Sequence, residues 1–265
     1  MLVAQITDTH IRAGGEPACG GRVDTARFLR RAVERINAFS PAIDAVILSG
    51  DLADDGSAAA YAAAADILGS LRPPLFAVPG NHDERDLFRA VFGGGFLDPA
   101  LPFCAGVAEG FPLRLIGLDS SLPGLPQGEI GDWQIDWLAS ALARGSARPT
   151  LIFVHHPPFA SGISRMDAMG LRDGDRLIAL LARHPQIRHL ACGHLHRAME
   201  TSLYGLPVSV GPSPAHAVVL ELGPSQTLDF SLEPPMLRLF RFNPADDGLV
   251  SHLIFVDSAP GPFPF

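Results

Sequence analysis

Within Pro79-Gly80-Asn81-His82-Asp83 an amide, an imidazole and a carboxylate stand in consecutive positions. Asn81 offers a neutral oxygen, His82 a group that exchanges protons near neutral pH, and Asp83 a negative charge. Packing rarely needs such a cluster. Four further groups share its character: Asp8 with His10, Asp51, His155, and His194 with His196. The combined donor set is carboxylate, amide oxygen and imidazole, without thiolate. It favours Mn, Fe or Zn with open coordination positions over a closed structural zinc site.

Each group follows an apolar run that reads as a buried strand: Leu2 to Thr7, Asp44 to Leu48, Leu75 to Val78, Thr150 to Val154, and Ile187 to Ala191. Leu113 to Leu118 reads as another. Loops at strand ends converge on one edge of an α/β sheet. Asp8 and His10 are two residues apart, as are His194 and His196, so on an extended chain each pair faces one side. Apolar residues at helical spacing predict helices over Arg22 to Phe39, Ser57 to Leu71, Glu84 to Phe92, Asp132 to Ala143 and Asp173 to His184. Trp133 and Trp137 are expected in the core. After His196 the pattern changes to a hairpin around Gly205 and strands over Ala217 to Leu222, Met236 to Phe242 and Leu249 to Val256. Alternating strand and helix, then strand after strand, predicts mixed sheets packed face to face with helices outside. The chain reads as one domain over residues 1–265, with C-terminal strands over about 198–256 and a Pro/Phe tail packing on the body or a neighbouring subunit.

Composition narrows the function. The net charge of -8 argues against a nucleic-acid polymer as partner. No lysine occurs, so all 20 basic residues are arginines, which excludes a P-loop lysine or a Schiff base. The apolar runs are too short to span a membrane. The N-terminal segment lacks a basic region followed by a long apolar one, so a cytoplasmic protein is expected. Cys19, Cys104 and Cys192 are far apart and read as packed thiols.

In order, Asp8-Thr9-His10, Gly50-Asp51, Gly80-Asn81-His82-Asp83, His155 and Gly193-His194-Leu195-His196 resemble the calcineurin-like metallophosphoesterase family, with no element missing. The resemblance extends from Leu2 to about His216 and implies a four-layer α/β/β/α sandwich of two mixed sheets flanked by helices. It implies that Asp8, His10 and His196 hold one divalent ion, that Asn81, His155 and His194 hold a second, and that Asp51 bridges both. A hydroxide generated there would attack phosphorus in line with the leaving oxygen. His82 would meet the phosphoryl group without being a ligand, and Asp83 would orient His82 or cap the following helix. His155-His156-Pro157-Pro158, Met166-Asp167 and Pro212-Ser213-Pro214-Ala215-His216 look most like the bacterial cyclic-nucleotide and glycerophosphodiester phosphodiesterase branch. That branch puts His216 near the substrate, a small phosphodiester, and implies a homo-oligomer. A phosphomonoesterase or phosphonate-ester hydrolase on the same centre is the alternative. A non-catalytic recruiting scaffold is the other rival, but it would have replaced ligands that are all retained here. His156 reads as supporting or structural, Asp54 and Asp55 as a solvated turn, and Asp119 as a turn residue or a supporting one.

Overall fold

Along the strand Thr150–Val154 the side chains sort with a period of two, as a buried strand requires. Leu151 and Phe153 join one core cluster, while Ile152 and Val154 join another. A sheet with apolar residues on both faces must be covered on both, and this sets the layers.

A computed structural model describes residues 1–145, 147–224 and 227–264. In chain order its elements are β1 (Leu2–Ile6), α1 (Ala18–Gly21, one distorted turn), α2 (Thr25–Asn37), β2 (Ala45–Ser49), α3 (Ala58–Leu68), β3 (Leu75–Val78) and α4 (Arg85–Phe92). Then come β4 (Gly106–Ala108), β5 (Arg114–Leu118), α5 (Gly131–Arg144), β6 (Thr150–Val154), α6 (Ser164–Asp167), α7 (Gly174–Leu181) and β7 (Ile187–Cys192). The remainder is β8 (Met199–Leu203), β9 (Leu206–Val210), β10 (Ala217–Val218), β11 (Phe230–Ser231), β12 (Met236–Asn243) and β13 (Gly248–Phe255).

One sheet has the order β13-β12-β1-β2-β3 and the other β4-β5-β6-β7-β9-β8. Both are mixed: β1, β2 and β3 run parallel, as do β5, β6, β7 and β9, while β12, β13, β4 and β8 pair antiparallel to their neighbours. Between the sheets Leu115, Leu151, Phe153 and Ala191 share a core with residues of β1 to β3 and of helices α2 and α3. On the far side Ile116, Ile152 and Leu190 pack with α5 and α7. Two mixed sheets flanked by helices therefore form the predicted layers. Each fully buried aliphatic side chain contributes about 1.5–3 kcal/mol relative to exposure. The C-terminal strands complete both sheets: β12 lies beside β1, and β9 beside β7.

The differences from the sequence reading have physical causes. The strand expected over Ala217 to Leu222 keeps only Ala217–Val218, because its partner β11 is itself two residues long. Short β4 carries too few residues to show alternation. Trp133 is 79% exposed rather than in the core; Trp137 does pack, against Phe103. The tail stays exposed at Phe263, and Phe265, part of the same expectation, lies outside the described residues.

Candidate metal centre

Every proposed ligand sits just past the C-terminal end of a parallel strand: Asp8 and His10 after β1, Asp51 after β2, Asn81 after β3, His155 after β6, and His194 and His196 after β7. The strands β1, β2 and β3 are adjacent in one sheet, and β6 and β7 in the other. Gln5 ties the two sheets together beneath the site. Its Nε2 donates to Ser49 Oγ at 2.8 Å and to the Cys192 carbonyl at 2.7 Å.

The chain turns sharply to aim these groups. Asp8, His10, Asp51, His194 and His196 all have positive φ, between 45° and 72°. Left-handed backbone costs an L-residue roughly 1–2 kcal/mol, and strain concentrated in these five positions fits a functional cluster more than a packing one. Gly80 and Gly193 allow the close approach. A Cβ at Gly80 would lie 2.2 Å from Asp51 Oδ1, and one at Gly193 would lie 2.1 Å from Thr7 Oγ1.

The donors fall into two groups that share Asp51. On one side His10 Nε2 is 3.2 Å from His196 Nε2, and His196 Nε2 is 3.5 Å from Asp8 Oδ1. On the other, His155 Nε2 is 3.1 Å from Asn81 Oδ1. Asp51 Oδ2 lies 3.7 Å from His10 Nε2 and 3.4 Å from His155 Nε2, while Oδ1 accepts from the His82 amide at 2.9 Å. His194 is buried beside His155, with ring centroids 5.1 Å apart, and its Nε2 has no hydrogen-bond partner among the described residues. All seven residues are thus brought together.

Supporting contacts fix which nitrogens face inward. His155 Nδ1 donates to the Ser49 carbonyl at 2.9 Å, and His10 Nδ1 donates to Asp54 Oδ1 at 3.2 Å. Each ring therefore presents Nε2 to the cluster, the arrangement found in metal-ligating histidines. His82 Nδ1 donates to the Asp54 carbonyl at 2.7 Å, which leaves its Nε2 for the cleft.

Electrostatics agree that the cluster needs positive charge. Burial raises Asp8 to about 6. Burial pushes His155 down, but Asp51 and Asp8 outweigh it and raise the imidazole to about 9, so without another cation a proton collects there. Burial would also raise Asp51, yet the surrounding His155, His82 and His10 hold it well below the carboxylate range. Burial keeps His194 down at about 3 and His196 well below its usual value, so both are neutral and able to ligate at pH 7. Oxygen and nitrogen lone pairs without enough protons between them fit divalent ions.

The remaining histidines separate clearly. His156 lies near His155 and His194, but its Nδ1 meets Ser120 Oγ at 2.8 Å and its Nε2 donates to the Pro126 carbonyl at 3.1 Å, which makes it structural. His216 is buried against the cluster, its ring 4.6 Å from that of His196 and 5.5 Å from that of His10. A cleft of about 300 Å³ opens over the cluster, with His10, Asp51, Asn81, His82, His194 and His196 on its floor.

A model of the calcineurin-like phosphoesterase family matches residues 1–198. The chain belongs to that family. Its members use divalent metals, and the clustered histidines and aspartates provide a possible binuclear site. The phosphoesterase is 34% identical, over 100% of its own length and 97% of the relative's, to a probable glycerophosphodiester phosphodiesterase, GpdQ, of Arcobacter nitrofigilis. It is also 34% identical to the 3',5'-cyclic adenosine monophosphate phosphodiesterase CpdA of Escherichia coli strain K12, over 80% of this chain and 76% of that one. In fold it is similar to a dimetal phosphatase from Danio rerio, with TM-score 0.66, 15% identity and coverage of 97% and 99% of the two chains.

Two supporting residues of the phosphoesterase differ from the sequence reading. Asp54 is no solvated turn: its carboxylate bridges His10 and Arg12, with Arg12 Nη1 at 2.9 Å. Its place three residues past Asp51 was the available signal. Asp83 neither orients His82 nor caps α4. Its carboxylate accepts from the amides of Leu52, Ala53 and Gly80 and from the Tyr61 hydroxyl, locking the Asp51 turn to the Asn81 turn. Glu84 caps α4 instead. Asp119 takes its supporting role away from the cluster, pairing with Arg85 at 2.8 Å.

Proposed function

We propose that the chain is a binuclear metal-dependent hydrolase of small phosphodiesters, such as 3',5'-cyclic nucleotides or glycerophosphodiesters. The position of Asp51 Oδ2 between His10 and His155 carries this reading, because it gives one carboxylate access to both donor groups. Asp8, His10 and His196 would hold one ion, Asn81, His155 and His194 the other, and Asp51 would be shared between them. The names of the GpdQ and CpdA relatives support a diester as substrate.

Two divalent ions, Mn, Fe or Zn, would supply Lewis acidity and a water-derived nucleophile near neutral pH. The chain's own residues set the charge and the protons. Asp8 and Asp51 bring two negative charges against four positive ones, leaving a surplus that suits an anionic ester. His82, with Nδ1 committed to the Asp54 carbonyl, turns Nε2 toward the phosphoryl group. In hydrolysis a water oxygen bonds to phosphorus, the bond from phosphorus to the alcohol oxygen breaks, and His82 gives that oxygen a proton. His216, on the cleft wall beside His196, contacts the ester.

A substrate panel tests the reading: cyclic AMP, glycerophosphodiesters, phosphomonoesters and a phosphonate monoester, each with Mn, Fe and Zn. Turnover of the diesters is expected. Turnover of monoesters alone contradicts the substrate class.

We also infer a cytoplasmic homo-oligomer without a membrane or nucleic-acid partner. Three free cysteines suit a reducing compartment, and among the described residues no helix is long and apolar enough to cross a membrane. The edge strand β13 exposes Val250, Leu253 and Phe255, a surface suited to a second copy. Sedimentation equilibrium giving a monomer contradicts the oligomer.

A further inference from the structure

Four leucines near β10 and β11 carry apolar surface that packing does not use. Leu220, Leu222, Leu228 and Leu232 are 55%, 66%, 45% and 58% exposed. A single exposed leucine is ordinary, but here four fall close together in sequence.

One of the four reaches the cleft. Leu228 is exposed and also lines it, as do Asp229 and Phe230. The Phe230 ring lies 5.6 Å from that of His216, and His216 lies 4.6 Å from His196. Two ring contacts therefore connect the leucine-bearing segment to the metal cluster. Leu222 reaches the backbone before α6: a Cβ at Gly162 would lie 3.2 Å from Leu222 Cδ2. That backbone is pinned by Asp167, which accepts from the Ser161 amide and hydroxyl at 2.7 Å each and from the Gly162 amide at 2.9 Å. It leads into Met166 and Met169, which with Val218 complete an apolar wall. No arginine lines the cleft among the described residues, and the acid on this wall is Asp229.

A glycerol or ribose unit gains little from such a wall. An aliphatic chain gains by burial and needs no counter-charge. Resting on the phosphodiesterase reading above, we infer that this site favours phosphodiesters bearing a single aliphatic chain, laid from the phosphate past Phe230 and onto Leu228 and Leu222. The bond changes are those of hydrolysis already given. The chain stays on the phosphoryl product and supplies binding alone.

The test uses the full-length, Mn-loaded protein and alkyl nitrophenyl phosphodiesters from methyl to dodecyl, below their micelle-forming concentrations. Nitrophenol leaves in every case, so the chain is the variable. We expect kcat/KM to rise about two- to fourfold per methylene until the wall is covered. Leu222→Ser and Leu228→Ser each lower the dodecyl-to-methyl ratio. Equal kcat/KM across a series whose methyl ester is turned over overturns the inference and leaves the phosphodiesterase reading standing. No turnover of any diester overturns both. If the variants change the sedimentation mass while the chain-length slope stays that of the wild type, the leucines cover a second copy and the inference is overturned.

Discussion

His155 Nε2 and Asn81 Oδ1 face each other at 3.1 Å, although Asn81 Oδ1 is an acceptor and the other His155 nitrogen already donates to Ser49. With the amide oxygen turned inward, positive charge satisfies that pair, either a second proton on His155 or a metal ion. A neutral oxygen here holds an ion without adding to the negative charge of Asp51. Asn81→Ala removes one donor and leaves the Asp8, His10 and His196 group intact. We expect one ion retained and the other bound about 10–100-fold more weakly, read by chelator competition.

His82 makes the opposite kind of contribution. It lies next to Asn81 in sequence, yet its inward nitrogen is directed by the Asp54 carbonyl. His82→Ala should keep both ions and lower kcat about 10²–10⁴-fold. Metal content and kcat measured on the same preparation check this, and loss of metal would make His82 a ligand.

Asp54 holds both histidines, His10 through its carboxylate and His82 through its carbonyl. Asp54→Asn keeps the carbonyl and weakens the hold on His10 Nδ1. Metal affinity should fall about 10-fold or more while the His82 function survives, which is visible as restored kcat at saturating metal.

Much of this was legible in the sequence. Strands ending in Asp8, Asp51, Asn81, His155 and His194 could be read because parallel buried strands are continuous apolar runs. The gathering of Asp8, His10, Asp51, Asn81, His155, His194 and His196 followed from their order after strands and from the family resemblance. What could not be read depends on distant partners. Asp83 looks like a cap, but its carboxylate is taken by amides some 30 residues earlier, at Leu52 and Ala53. Phe230 and Leu228 reach the cleft through a two-residue pairing of β10 with β11, too short to leave a pattern. Trp133 follows the helical spacing of α5 but stands on its exposed side.

His189 provides a test of the fold apart from the site. It is buried on β7, its Nε2 2.7 Å from Ser209 Oγ, and burial, with Arg238 nearby, pushes it down to about 3. A folded value below the unfolded one, about 6.5, means that the unfolded chain binds the proton first. The stability it supplies is complete above about pH 6.5 and is lost as the pH falls toward about 3. His189→Gln should flatten that part of the acid limb, measured as urea midpoints from pH 7 to pH 4.

The most direct measurement is a titration of metal-free protein with Mn, following hydrolysis of a nitrophenyl phosphodiester per ion added. The account predicts no activity in chelator and full activity at two ions per chain. Full activity in chelator, or saturation at one ion, would contradict a centre shared through Asp51.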